Sequence, residues 1–187
     1  MLAAGLDGTG AKTASQRAWS WAALMHRAFG IDVLACAHCG GRLRLIALYD
    51  RLSRHTAYER FFAVRRRLPT DWIHAFANVD YRRRLAIVAE RETMAGAEIV
   101  GVGRYEPSDQ PDTGEVAFVL EDGYQGRGLG VLLLDEIVRA GTARGLGRFR
   151  ADVLGENHRM LRLLSRRTRI IERTVEHGIV SLLFEPK

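Results

Sequence analysis

The 187-residue chain has no apolar run approaching the ~20 residues that a membrane helix needs. Its opening, MLAAGLDGTGAKTASQR, lacks the apolar core of a secretory signal. Both absences point to a soluble, cytoplasmic protein. Cys36 and Cys39 are the only two cysteines, too few for a disulfide framework. Lysine is nearly missing: only Lys12 and Lys187 occur, so arginine carries the net charge of +6. There is no compact polybasic tail, and the runs Arg65–Arg67 and Arg82–Arg84 are short enough to be solvated helix ends and loops. No internal repeat is visible.

What is present is a globular composition, 47% hydrophobic and 27% charged, long enough for one substantial domain. Basic charge of this kind suits an anionic ligand, either nucleic acid or a phosphorylated cofactor. Residues Met1 to about Ser15 are small and polar, and are expected to fray. Apolar spacing predicts a helix over Ala18–Phe29, closed by Gly30, then a short strand in IDVLAC and a turn in AHCGG. Helices are expected in RLRLIALYDRLS, with Leu45, Leu48 and Leu52 on one face, and in AYERFFAVRRRL before Pro69. A third begins at TDWIHAFANV, with Thr70 as its N-cap. Then the texture changes. RLAIVAERE, AEIVGVGRYEP and GEVAFVLED are β-rich. A helix follows in GRGLGVLLLDEIVRAGTARG, a strand in GRFRADVL, a helix in ENHRMLRLLSRR, and a hairpin turning at His177–Gly178. The order predicts a single α+β domain with a mixed, mostly antiparallel twisted sheet flanked by helices.

The segment Gln125-Gly126-Arg127-Gly128-Leu129-Gly130 lies between a predicted strand and a predicted helix. Helix N-termini carry unpaired N–H groups and partial positive charge, and glycine permits close backbone approach, so a phosphate site belongs here. A Walker loop needs Gly-Lys-Ser/Thr, whereas Val131 and Leu132 follow the last glycine. A dinucleotide fingerprint counted from Gly126 needs glycine at Val131, and the chain lacks alternating βαβ units. The pattern Q/R-x-x-G-x-G/A fits at Gln125, Gly128 and Gly130.

With EVAFVLEDGYQGRGLG before it and RFRADVLGENHRMLRLL after it, this loop resembles the acetyl-CoA-binding core of the GNAT superfamily of N-acetyltransferases. The resemblance runs from about Leu48 to Pro186 and is nearest to the bacterial branch with protein-lysine acetyltransferase domains. It implies acetyl-CoA as co-substrate, its pyrophosphate held by the loop Gln125, Gly126, Arg127, Gly128, Leu129 and Gly130. The pantetheine arm would lie along Phe118, Val119 and Leu120 and near Asn157, with an N–H near Val119 or Leu120 facing the thioester oxygen. Asn157 is equally well explained as a helix N-cap. The resemblance makes Glu115 the general base for the acceptor ammonium. The tyrosine that many relatives use as general acid falls on Leu164, so Ser165, a water or no specific group takes that part. Asp80 and Tyr81 match a feature just before a strand, which implies a place lining the acceptor pocket; a packed tyrosine beside a capping aspartate explains them at least as well, and Glu121 and Asp122 are further acids that shape the loop or attract a cationic substrate. Relatives of this kind often form dimers.

Residues Ala18 to about Ile46, above all FGIDVLACAHCGGRLRLIA, resemble the C-terminal end of transposases of rolling-circle insertion sequences. The expected organisation is a transposase-tail-like extension over residues 1–46, in which IDVLAC supplies the first strand, and an acetyltransferase domain over 47–187. Cys36-x-x-Cys39 is half a zinc site that His38 and His26 could complete, but with the second cysteine pair missing no metal is expected. Neither a recognition helix nor a complete zinc module is present, so DNA binding ranks below catalysis.

Two acceptors compete. A mobile-element tail points to a resistance enzyme acetylating a small cationic antibiotic, an aminoglycoside such as kasugamycin. The acid-rich stretch Glu106, Asp109, Asp112, Glu115, Glu121 and Asp122 suits such a cation. The branch resemblance points instead to protein lysines. A third reading keeps acetyl-CoA or DNA binding without turnover.

Overall fold

The computed structural model describes residues 31–32, 41–77 and 79–187. The predicted helix over Ala18–Phe29, the end of IDVLAC, the AHCGG turn and both cysteines lie outside the described residues. In chain order the elements are β1 (Ile31–Asp32), α1 (Gly41–Arg51), α2 (Arg54–Phe61), α3 (Thr70–Ala77), β2 (Leu85–Thr93), β3 (Gly96–Pro107), β4 (Thr113–Leu120), a 3-10 turn (Asp122–Tyr124), α4 (Leu129–Thr142), β5 (Arg148–Leu154), α5 (His158–Arg167), β6 (Thr168–Glu176) and β7 (Ile179–Pro186).

They build an α+β domain around one seven-stranded sheet of order β1-β2-β3-β4-β5-β7-β6. Every neighbouring pair is antiparallel except β4 and β5, which are parallel. The two residues of β1 form the edge, Ile31 opposite Arg91 and Asp32 opposite Glu90.

Alternation along β4 sends its side chains to opposite faces. Val116 and Phe118 pack with Leu134 and Ile137 of α4 in the main core, which Phe149 and Phe184 complete with rings stacked 5.9 Å apart. Both phenylalanines are fully buried, each worth about 2–3 kcal/mol of transfer free energy. Gly141 brings α4 close here, because a Cβ would meet the Phe149 ring at 2.7 Å. On the other face Val102 and Val119 pack with Leu45 and Leu48 of α1 and Leu52 just beyond its end, the predicted apolar stripe.

Two helix boundaries depart from expectation. Helix α2 begins at Arg54 and ends at Phe61, not near Pro69. The Ser53 side chain caps it by accepting from the Thr56 N–H, and Phe62 closes it in the left-handed region at φ 53°. Thr70 is the first helical residue of α3 and not its cap; the Pro69 carbonyl accepts from the Ile73 N–H.

Asp122 fastens α2 to the end of β4. Its carboxylate accepts from the Ser53 N–H at 3.0 Å, the Ser53 hydroxyl at 2.7 Å and the Thr56 hydroxyl at 2.8 Å. Burial opposes its ionisation, but these bonds outweigh burial and hold its pKa below the ordinary 3.8. A depressed folded-state pKa contributes stability above the ordinary value, and this is lost as the pH falls through the lowered one. Asp122→Ala is therefore expected to cost about 1 kcal/mol near neutral pH, after allowance for solvent at this exposed site. Thermal melting of the variant beside the parent, at neutral pH and near pH 3, checks it: the gap narrows at the acid end.

Candidate active site

Strands β4 and β5 run together for only three pairs, Thr113 with Arg148, Gly114 with Phe149, and Glu115 with Arg150. Beyond Glu115 they separate. From Val116 to Leu120 strand β4 keeps β3 on one side, and from Ala151 onward β5 keeps β7 on its own. The gap is a cleft of about 370 Å³ lined by Glu115–Leu120, Ala151–Val153, the glycine loop, the start of α5 and one side of α2. Backbone polar groups along its β4 edge are free of a neighbouring strand, so an extended amide-bearing ligand can take a strand's place. Phe118 faces the main core, Val119 the α1 side, and Leu120 the cluster around Leu129. These three offer the cleft chiefly backbone.

At the far end lies the glycine loop. Gly126 and Gly128 have φ of 74° and 87°, and a Cβ on either would point into open space. That is a left-handed backbone beside an open hollow, at the N-terminus of the 14-residue α4, with Gly128 as N-cap. The N–H groups of Leu129 and Gly130 begin the helix and have no intrahelical acceptor. Leu129 itself is buried against Ala89 and Val100, so only its backbone faces the loop. The loop is braced by Gln125, whose amide donates to the Thr56 hydroxyl and the Leu120 carbonyl, each at 3.1 Å, and accepts from Arg159 at 2.6 Å. The exposed Arg127 guanidinium lies 5.7 Å from the Tyr124 ring centre. Asn157 lines the cleft and also caps α5, accepting from the Met160 N–H at 2.9 Å.

Glu115 is exposed and lines the cleft where β4–β5 pairing stops. Among the described residues it has no hydrogen-bond or ion-pair partner. Its cross-strand neighbour Glu106 is paired with Arg104.

Several expected site residues are elsewhere. The Ser165 hydroxyl is exposed and donates to the Arg162 carbonyl at 3.2 Å, while Leu164, fully buried, turns into the cleft lining beside it. Asp80 accepts from the N–H groups of Arg82, Arg83 and Arg84 at 2.9, 2.8 and 2.8 Å. The Arg84 N–H, then that of Arg82, lowers its pKa despite desolvation. Tyr81 packs against the main core, and its carbonyl accepts from Arg144. Glu121 is ion-paired with Arg51 at 2.9 Å, and Asp122 anchors α2. None of these four lines the cleft. Of the acid-rich stretch Glu106–Asp122, Glu115 alone does.

Sequence reasoning missed the α2 side of the cleft, Thr56, Glu59, Arg60 and Phe62. The available signal was a charged pair, Glu59-Arg60, inside an aromatic stretch on a short helix. Among the described residues no cluster of His, Cys, Asp and Glu is arranged to hold a metal, and no helix is long and apolar enough to cross a membrane.

Comparison with known proteins agrees with this geometry. Acetyltransferase Pat of Mycolicibacterium smegmatis is 32% identical over 115 residues, which is 61% of this chain and 34% of Pat. The chain thus spans about a third of that relative's length. The crystal structure of the GNAT domain of S. lividans PAT superposes with a TM-score of 0.70 at 31% identity, covering 83% of this chain and 89% of that one. The structure of yncA from Salmonella typhimurium, solved with its cofactor acetyl-CoA, shares the fold at a TM-score of 0.63 and 16% identity, covering 83% and 93%. A model of the acetyltransferase (GNAT) family matches residues 47–167. That match runs from within α1 to the end of α5, across the split strands and the glycine loop between them, and the chain belongs to the acetyltransferase (GNAT) family.

Proposed function

We propose that the protein transfers the acetyl group of acetyl-CoA directly to a primary amine, with Glu115 as general base. The observation that carries this is a free carboxylate at the point where two parallel strands part, at the opposite end of one cleft from a left-handed glycine turn. The turn and the N–H groups of Arg127–Gly130 would hold the pyrophosphate, where negative charge is favoured by the helix dipole. The open edge of Phe118–Leu120 would pair with the pantetheine amides and orient the thioester. An N–H there, near Val119 or Leu120, would stabilise the oxygen as it gains charge. Glu115 would take the proton from the incoming ammonium, directly or through one water, leaving a lone pair to attack the acetyl carbon.

No acid need be built in for departure, since a thiol with an ordinary pKa near ~8.5 leaves as the thiolate. Ser165→Ala is accordingly expected to change kcat by less than about twofold, in contrast to the 10²-fold scale of a working acid. Steady-state kinetics across pH 6–9 checks this, and a steep fall would return Ser165 to the reaction.

The acceptor we favour is a small amine-bearing antibiotic of the aminoglycoside kind, kasugamycin first among them, which makes the protein a resistance enzyme. Glu59 and Glu115 both line the cleft, and the N-terminal segment resembles the tail of a mobile element's transposase. The likeness to Acetyltransferase Pat favours a second reading, acetylation of protein lysines. A plate assay of acetyl-CoA consumption against aminoglycosides, other amine antibiotics and lysine peptides separates them. Turnover with peptides alone overturns the antibiotic reading, and turnover with no amine overturns both.

A further inference from the structure

The acceptor end of the cleft holds a cation that the acetyl-transfer chemistry does not use. Arg60 lines the cleft from the last turn of α2. Its guanidinium lies 5.0 Å from the centre of the Phe61 ring and 5.9 Å from that of Phe76. Among the described residues it has no hydrogen bond and no ion pair. Burial, and then Arg104, pull its pKa down to about 10, with Glu106 and Glu115 pulling the other way. It remains charged near neutral pH.

Arg104 stands behind it on β3. It is 5% exposed, and its guanidinium lies 4.4 Å from the centre of the same Phe76 ring. Its Nε, buried, has no partner among the described residues. Glu106 pairs with another nitrogen of Arg104 and also approaches Arg84, so it is already shared. Arg104 is thus buried against one carboxylate that it shares with Arg84, and Arg60, half-buried in the cleft, feels Glu106 and Glu115 only through space, whereas desolvated arginines are ordinarily paired directly. Aromatic contact offsets only part of the desolvation.

From this arrangement we infer that the acceptor carries an acid as well as an amine, and that Arg60, backed by Arg104, binds the acid while Glu115 receives the amine. A planar carboxylate suits the guanidinium fork, which can grip both its oxygens. The acceptor class is then an amino acid-like or acidic amino-sugar compound, in which the two charges lie close together. The inference rests on the amine-acetylation reading and narrows it: a pure polycation would bring its charge against Arg60.

The test uses matched acceptors. Kasugamycin, which bears a carboxylate, is compared with its methyl ester and with kanamycin, which bears none; lysine is compared with lysinamide. The expected result is a kcat/KM higher for the acid than for its ester or amide by about tenfold or more, the scale of one hydrogen bond to a charged group. Arg60→Met should erase that preference by raising KM for the acid, and Arg60→Lys should restore part of it. Acetyl-CoA affinity, measured by calorimetry, should be the same in both variants, which shows that the cleft is intact. Turnover without regard to the acid, or an equal loss on acid and ester in Arg60→Met, overturns this inference alone. Turnover of no amine at all overturns the acetylation reading together with it.

Discussion

Glu115→Gln is expected to lower kcat by on the order of 10²-fold or more while acetyl-CoA affinity stays unchanged. The amide keeps the shape of the carboxylate and removes its basicity. Glu115 has no structural partner among the described residues to lose. Its side chain is exposed, and the charge it acts on, Arg60, keeps Glu106 nearby. The proposed amine acceptor would be an ammonium near neutral pH, and without a base only its small unprotonated fraction would attack. Two consequences separate this role from a merely structural one. The loss should shrink as the pH is raised toward the acceptor's own pKa, where the amine arrives already free. Calorimetric titration with acetyl-CoA should superpose on the parent. A variant that keeps its turnover removes Glu115 from the reaction; one that loses acetyl-CoA binding shows that the side chain shapes the cleft instead.

Gly128→Val is the second large effect, and two separate causes act on it. At φ 87° the backbone is left-handed, which costs a branched residue about 1–2 kcal/mol or more. The added carbon would meet no protein atom within 4 Å, so the fold has room for it. The room is the hollow at the start of α4, where a diphosphate would lie against the N–H groups. The expected outcome is loss of measurable acetyl-CoA binding by calorimetry, with the sheet intact by circular dichroism. Gly128→Ala should fall between, carrying most of the strain and less of the bulk. Retained binding in the valine variant would move the phosphate site away from this loop.

The glycine loop was the most legible part of the chain, because its chemistry is written in consecutive residues. Glycine at 126 and 128 announces positive φ, and the apolar period after it announces the helix. The strands and the stripe of Leu45, Leu48 and Leu52 along and just past α1 were legible for the same local reason. What the sequence hid is whatever depends on partners far along the chain. Asp122 and Glu121 read as loop-shaping or substrate acids, and only the fold shows that Ser53, Thr56 and Arg51 claim them, some seventy positions earlier. Asp80 read as a pocket residue or as a cap, and the fold makes it accept from three successive backbone N–H groups. Arg60 had only a weak signature, the Glu59-Arg60 pair in an aromatic stretch, since a charged pair on a short helix is ordinary until the fold turns it into the cleft. Ser165 differs from its cleft-lining neighbour Leu164 by one step of a helix, about 100° of rotation, and counting from Asn157 could not settle which of the two faces inward.

The brief partnership of β4 and β5 has a consequence for the protein as a material. The sheet is effectively two plates, β1–β4 and β5–β7, welded along a seam only three residue pairs long. A reactant lodged in the open remainder of the seam would bridge both plates and be favoured over the empty form by simple mass action. The catalyst would thereby draw part of its mechanical integrity from its own fuel, firm when thioester is plentiful and looser when it runs short.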